Sequence, residues 1–294
     1  MSTPTTGRSA AKRNTTRKKA DPAPAGARLD VRKTYKLYVD GSFPRSESGR
    51  TYAVHAADGT MLAQAAKASR KDARDAVVAA RSAVSTWSGA TAYNRGQVLY
   101  RVAEMLEGRA AQFVELVADA EGVSLEEAHR QVTEAVDRWV WYAGWTDKIT
   151  QVAGNANPVA GPYFNLSVPE PTGVVAVLAP QGSSLLGLTS VIAPVIATGN
   201  TCVVVTSYDR PLPAVALGEV LSTSDVPGGV VNLLTGSAAE LGPWLASHRD
   251  VDAIDLTGAA ALTEPTWGDL EAAASDTLTR VLRPADLPDD AEPD

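Results

Sequence analysis

Hydrophobic and polar positions fall into two rhythms along this chain. In the second half, largely apolar stretches alternate with turn residues: 173–178 (Gly-Val-Val-Ala-Val-Leu) and 202–205 (Cys-Val-Val-Val) are apolar throughout, and 229–234 and 251–256, which carry one Asn and two Asp, read as the third and fourth strands. Runs without a polar alternation predict strands covered on both faces, as in a parallel sheet. Between the first two lie residues 185–197, apolar nearly all round, which predict a buried helix stopped by Gly199-Asn200. Pro180-Gln181-Gly182-Ser183-Ser184 supplies the turn before it and hydroxyls able to cap it. Residues 213–223 and 240–247 predict two further helices. Parallel neighbours need crossovers of this kind. The alternation therefore predicts an α/β fold with a doubly wound parallel, Rossmann-like sheet.

The first half has a different beat. Residues 35–41 alternate and close on Asp40-Gly41, predicting a short strand; 51–54 and 62–65 flank Asp58-Gly59, predicting a hairpin. Ser69 followed by Asp72 forms a capping box, after which Ala73, Ala76, Val77, Ala80 and Val84 recur on one helical face. A second helix is predicted over 93–120 with Leu99, Val102, Leu106, Phe113 and Val117 inward. Ser124 and Glu127 open a third, whose stripe is Ala128, Val132, Ala135, Val136 and Trp139. Trp139, Trp141, Tyr142 and Trp145 crowd its end; core and interface packing is favoured there over a platform for stacking a ligand. Residues 150–169 are rich in Gly, Asn and Pro with an extended rhythm at 163–168. A last amphipathic pattern covers 268–282 through Leu270, Ala274, Leu278, Val281 and Leu282.

Composition narrows the class. With 294 residues and 45% hydrophobic content the chain can bury a substantial core, as one large or two smaller domains. Its apolar runs are broken well short of a membrane span, and no apolar segment follows the N-terminus, so neither a membrane protein nor a secreted one is expected. One cysteine excludes an internal disulfide framework and fits a reducing cytoplasm. The net charge of −7 argues against a nucleic-acid-binding body, but it is unevenly spread. Residues 1–34 carry nine Lys/Arg against two Asp, a local +7, which leaves −14 on the remainder. That segment has too few large apolar side chains to offset its ordering entropy, so disorder is expected. A solubilising tail is the favoured reading; an arm touching nucleic acid or another acidic surface through Lys12-Arg13 and Arg17-Lys18-Lys19 is the alternative. The expected organisation is a basic tail (1–34), strands and helices (35–149), an extended segment (150–169), the Rossmann-like core (170–283) and an acidic tail (284–294).

The strings EPTGVVAV, APVIATGNT with a later Pro-Leu, VPGGVVNLLTG and HRDVDAIDLTG resemble the cofactor half of the NAD(P)-dependent aldehyde dehydrogenases, over about residues 36–260. The resemblance implies strands and outer helices ahead of the first Rossmann strand, and a two-stranded flap for subunit association at 150–169. It implies NAD or NADP as cofactor, with family cofactor positions kept at Pro180, Ser207, Gly236, Gly242, Thr257 and Gly258. Other cofactor positions depart from the family. Val205 and Tyr208 stand where a lysine and a glutamate hold the adenosine ribose, and Ala259 and Thr263 replace a serine and a glycine of the pyrophosphate turn. Binding is therefore expected to be weak, and isolated glycines serve turn geometry equally well.

The family chemistry needs an activated cysteine, oxyanion donors, a general base and a nicotinamide. Nucleophile and base lie beyond the fourth Rossmann strand in the family, in a catalytic domain expected to be missing here. The sole thiol, Cys202, falls in a Val-rich strand and reads as structural. Gly182, in Pro180-Gln181-Gly182, stands where the family carries the asparagine of Pro-Trp-Asn, and Gln181 points another way. No catalytic residue is assigned. His55, His129 and His248 lack metal-ligand spacing, so no metal site is expected. The chain also resembles a truncated, cysteine-free second dehydrogenase domain that one branch of the family carries. Together these features imply an inactive structural or regulatory subunit, in a hetero-oligomer with a full-length aldehyde dehydrogenase or in a homo-oligomer. The alternatives are an NAD(P)-dependent oxidoreductase (aldehyde to carboxylate) that completes an active site in trans, and a nucleotide-sensing or architectural protein anchored by its basic tail.

Overall fold

The computed structural model describes residues 31–284, so the acidic tail and most of the basic one lie outside the described residues. Strands β1 (Thr34–Tyr35), β2 (Thr51–His55) and β3 (Met61–Ala66) form a small sheet in the order β1-β3-β2. The predicted hairpin is present: β2 and β3 are antiparallel, and Asp58 turns the chain by accepting from the Thr60 N–H at 2.8 Å. The predicted strand at 35–41 is corrected. Only Thr34 and Tyr35 pair, parallel to β3, and Tyr38 then exchanges backbone hydrogen bonds with Leu233. Leu37 and Tyr38 are consecutive and both buried, which a one-sided strand cannot provide, so this stretch pins the small sheet to the large one. Within the segment expected to be a tail, Lys33 pairs with Glu219 at 2.8 Å.

Helix α1 (Arg70–Gly89) opens on the predicted capping box, and Ala73, Ala76, Val77 and Ala80 are buried. The single helix expected over 93–120 is two: α2 (Ala92–Glu107) and α3 (Ala110–Glu121). Gly108 ends the first, and Arg109 leaves helical geometry with its guanidinium 2.6 Å from Glu219. A poor helix former beside a long-range ion pair breaks what periodicity alone joins. Helix α4 (Leu125–Trp145) is capped by Ser124 and buries its whole predicted stripe. The aromatic cluster divides: Trp139 is core, while Trp141 is exposed and rests near Trp145 with ring centroids 6.1 Å apart. A short unpredicted helix, α5 (Ile149–Ala153), leads into β4 (Asn155–Ala156) and β5 (Leu166–Ser167), an antiparallel pair at the place of the flap.

The core sheet is built from β6 (Val174–Leu178), β7 (Thr201–Val205), β8 (Val231–Leu234), β9 (Ala253–Asp255) and β10 (Arg280–Leu282), all parallel in the order β10-β9-β6-β7-β8. Helices α6 (Leu186–Ala197), α7 (Leu212–Leu221), α8 (Ala238–Ala246) and α9 (Trp267–Ser275) make the crossovers. The final amphipathic pattern is corrected here. The helix stops at Ser275, Leu278 takes a left-handed turn with φ 57° and lies 91% exposed, and residues 280–282 return as the fifth strand. Alternate strand residues serve opposite faces. Val174, Ala176, Leu178, Val203 and Ile254 pack under α1, α8 and α9; Val175, Val177, Cys202, Val204 and Leu233 pack under α2, α4, α6 and α7. Each buried Val, Leu or Ile among them contributes ~1.5–3 kcal/mol, so the sheet is the stable platform for whatever its loops carry. Among the described residues no helix is long and apolar enough to cross a membrane.

Candidate functional site

Doubly wound sheets bind ligands outside the carboxyl ends of their strands, where strand order reverses. Here that point is β6, flanked by β7 on one side and β9 on the other. All six predicted cofactor residues lie on elements at this edge. Pro180 is buried just after β6. Ser207, after β7, donates from Oγ to the Gln181 carbonyl at 3.0 Å. Gly236, after β8, has φ 152°, a conformation that favours glycine. Gly242 lies within α8 against Leu178 and Leu270. Thr257 donates its N–H and hydroxyl to Asp255 Oδ1 at 2.8 and 2.6 Å. A Cβ on Gly258 would fall 1.9 Å from the Ala179 carbonyl oxygen, so the backbones there are in direct contact.

The loops are also tied to one another. Gln181 spends both ends of its amide on the backbone: Nε2 donates to the Ala179 carbonyl at 2.7 Å, and Oε1 accepts from the Tyr208 N–H at 3.0 Å. Arg210 donates to the Gly182 carbonyl. At the start of α6, the N–H and hydroxyl of Ser184 both donate to Glu121 Oε1 at 2.6 Å, and the Gly187 N–H donates to Ser183 Oγ at 2.8 Å. The Tyr208 ring stacks on Tyr52, with centroids 4.7 Å apart and planes 4° from parallel. Burial, and to a lesser degree Tyr208 and Asp209 nearby, raise the Tyr52 hydroxyl well above the ordinary phenol range. Beside this stack is a cavity of about 340 Å³ reached by His55, Asp209 and Arg210. Val205 is buried within the sheet core.

Few groups here can do covalent chemistry. Cys202 is 0% exposed within β7, and burial pushes its thiol up to about 12. A thiol held protonated and sealed is neither nucleophile nor metal ligand. Asp255, at the end of β9, is buried and its carboxyl is raised by desolvation, against the lowering effect of the two bonds from Thr257. His248 packs on Trp244 and accepts from the Asp250 N–H at 3.1 Å. Among the described residues no group of three or more His, Cys, Asp and Glu is placed to hold a metal ion. Sequence reading missed Glu121, Tyr52 and Asp255. Only Asp255 carried a signal, as one of two acidic residues, with Asp252, inside the predicted strand at 251–256. Glu121 and Tyr52 reach the site from distant segments.

Comparison with known proteins agrees with this architecture. The aldehyde dehydrogenase family model matches residues 43–281. The chain is 33% identical over 233 residues to a putative aldehyde dehydrogenase, DhaS, of Bacillus subtilis (strain 168), covering 78% of this chain and 46% of that protein. It is 33% identical over 258 residues to retinal dehydrogenase 2 of Gallus gallus, covering 86% and 48%. The structure superposes on an aldehyde dehydrogenase from Bacillus cereus in complex with NAD+ with TM-score 0.79 at 26% identity, covering 85% of this chain and 50% of that one. The chain thus spans about half the length of the curated relatives it matches. A parallel five-stranded sheet with this order, and a family match across nearly all of the described residues, place the chain in the aldehyde dehydrogenase family.

Proposed function

We propose that this chain is a non-catalytic member of its family, a structural or regulatory subunit that assembles with a full-length aldehyde dehydrogenase or with copies of itself. The observation that carries this is Cys202: the only thiol in the sequence is sealed inside β7 and held protonated. Without a thiolate in this chain, no thiohemiacetal forms on it and no hydride is released. Gly182 has no side chain to stabilise an oxyanion, and the Gln181 amide beside it is committed to backbone. A single reduced cysteine fits a cytoplasmic setting.

The flap region supports assembly. Val152, Tyr163, Phe164, Leu166 and Val168 are each more than half exposed, with Phe164 at 99%. A run of large apolar side chains in water is the signature of a surface that another chain covers. Two measurements test the proposal. Purified alone, the chain leaves aldehyde and NAD(P)+ unchanged in an assay for reduced nicotinamide; turnover abolished by Cys202→Ser would sink the non-catalytic reading. Co-expressed with a full-length family member, it elutes as a complex on size exclusion, and its appearance solely as a monomer would remove the subunit role.

A further inference from the structure

We infer that the flap carries a knob and the end of α4 a socket, and that in a pair of chains Phe164 of each copy seats against Trp141 and Trp145 of the other. The inference deepens the assembly reading above, on which it rests, by committing to one partner: a second copy of this chain.

The knob is held out by its neighbours. The Asn157 N–H donates to the Asn165 carbonyl at 2.7 Å, and the Asn157 amide donates to Asn165 Oδ1 at 3.0 Å and to Ser167 Oγ at 2.9 Å. On the other side the Tyr163 N–H donates to the Gly161 carbonyl at 2.8 Å. The Tyr163 ring lies so near Gly161 that a Cβ on the glycine would fall 2.7 Å from it. Between these two tied residues Phe164 is 99% exposed, so it fills no cavity of its own chain. The backbone around the ring is already ordered, and docking it loses little conformational freedom.

The socket is of matching size and character. Trp141, Tyr142 and Trp145 near the end of α4, Ile149 at the start of α5, and Pro194 and Ala197 of α6 line a cavity of about 170 Å³. An apolar cavity of ~150 Å³ holds one benzene ring, so this one suits a single phenyl group. None of the described residues lining it is charged, and it offers no counter-ion to a small ionic ligand. The Trp141 and Trp145 rings, 6.1 Å apart and 56° from parallel, present a face and an edge to an incoming ring. Trp141 is 47% exposed, an aromatic surface that the folding of one chain leaves in water. Socket and knob follow one another in the chain through α5 and β4. A surface that bears both complements itself, and a two-fold axis makes both contacts at once.

The test is a dilution series of the full chain by sedimentation equilibrium, alongside Phe164→Ala, Trp141→Ala and the double variant. Neither side chain is buried, so the substitutions spare the core; circular dichroism and thermal melting check each fold. Wild type forms a dimer, and each single substitution weakens it at least ~10-fold. The double variant matches the weaker single variant to within ~3-fold, because the two residues make one contact. If Trp141→Ala does not fold, Thr198→Arg at the exposed rim of the socket takes its place in the cycle. Losses that multiply put the two side chains at separate contacts and overturn the inference, as does a dimer that Phe164→Ala leaves unchanged. Wild type that stays monomeric up to ~0.1 mM overturns it too, yet leaves the subunit reading standing if a full-length family member captures the chain. Turnover by the purified chain sinks the non-catalytic reading and leaves the knob and socket untouched.

Discussion

Asp255 sits where an apolar residue would be expected, at the end of a core strand, with its side chain 6% exposed and two donors on one oxygen. Desolvation outweighs those bonds and raises its folded-state pKa. In the unfolded chain the proton leaves near ~4, so from there up to the folded pKa the folded state binds the extra proton. Stability contributed by this group is therefore complete below ~4 and is lost as pH rises through the folded value. Asp255→Asn should raise the melting temperature at neutral pH, with the advantage shrinking on acidification. Melting curves at neutral and acidic pH check it, and a lower melting point at neutral pH would mean that the charge itself is stabilising. For Cys202, an aromatic disulfide reagent should leave the native thiol untouched and label it on addition of guanidinium; rapid native labelling contradicts the sealed strand. Gly258→Ala forces a Cβ to 1.9 Å from a carbonyl oxygen, so a loss of ~1–3 kcal/mol or more is expected in urea unfolding.

At the scale of elements, the start of α1 shows how a few polar atoms fix a junction. Asp72 is buried and accepts from the Ser69 N–H at 2.8 Å, the Glu47 N–H at 3.0 Å and Ser46 Oγ at 2.7 Å. The capping box thus also secures the loop that leads to β2. Ser69→Ala removes one cap bond and should cost ~1 kcal/mol. Asp72→Ala leaves several donors unsatisfied under partial burial and should cost more, ~2–3 kcal/mol. Denaturant midpoints rank the two; equal losses would show that Asp72 is only a cap. The break between α2 and α3 follows the same logic. Leu99, Val102, Leu106, Phe113 and Val117 all point inward as periodicity predicts, yet the axis turns at Gly108 because Arg109 finds Glu219 on α7.

At the scale of the whole molecule, the exposed flap is the feature that a folded single chain does not account for. Replacing Phe164 and Leu166 by Asp should lower the molecular mass seen by light scattering while the melting temperature of the core stays within ~1 °C, since neither side chain is buried. An unchanged mass would mean that the flap is not the assembling surface. Much of this architecture was legible beforehand: the four apolar strands, the buried helices, the hairpin and both capped helices. Their cause is local, in periodicity, capping residues and turn chemistry. The fifth strand was not legible, because Arg-Val-Leu at 280–282 continues a helical pattern as well as it begins an extended one; pairing with β9 decided it. The site divides similarly. The placement of Pro180, Ser207, Gly236, Gly242, Thr257 and Gly258 on one sheet edge follows from the strand–turn–helix rhythm. That Glu121 reaches α6, that Tyr52 stacks on Tyr208 and that Gln181 bridges two loops depends on segments far apart in the chain. Strands, helices and the sheet edge they share were already written in the chain, since they follow from neighbours within a few turns. Which loops are tied together across that edge is fixed by folding alone, because hydrogen bonds between distant segments leave no periodic trace in the chain.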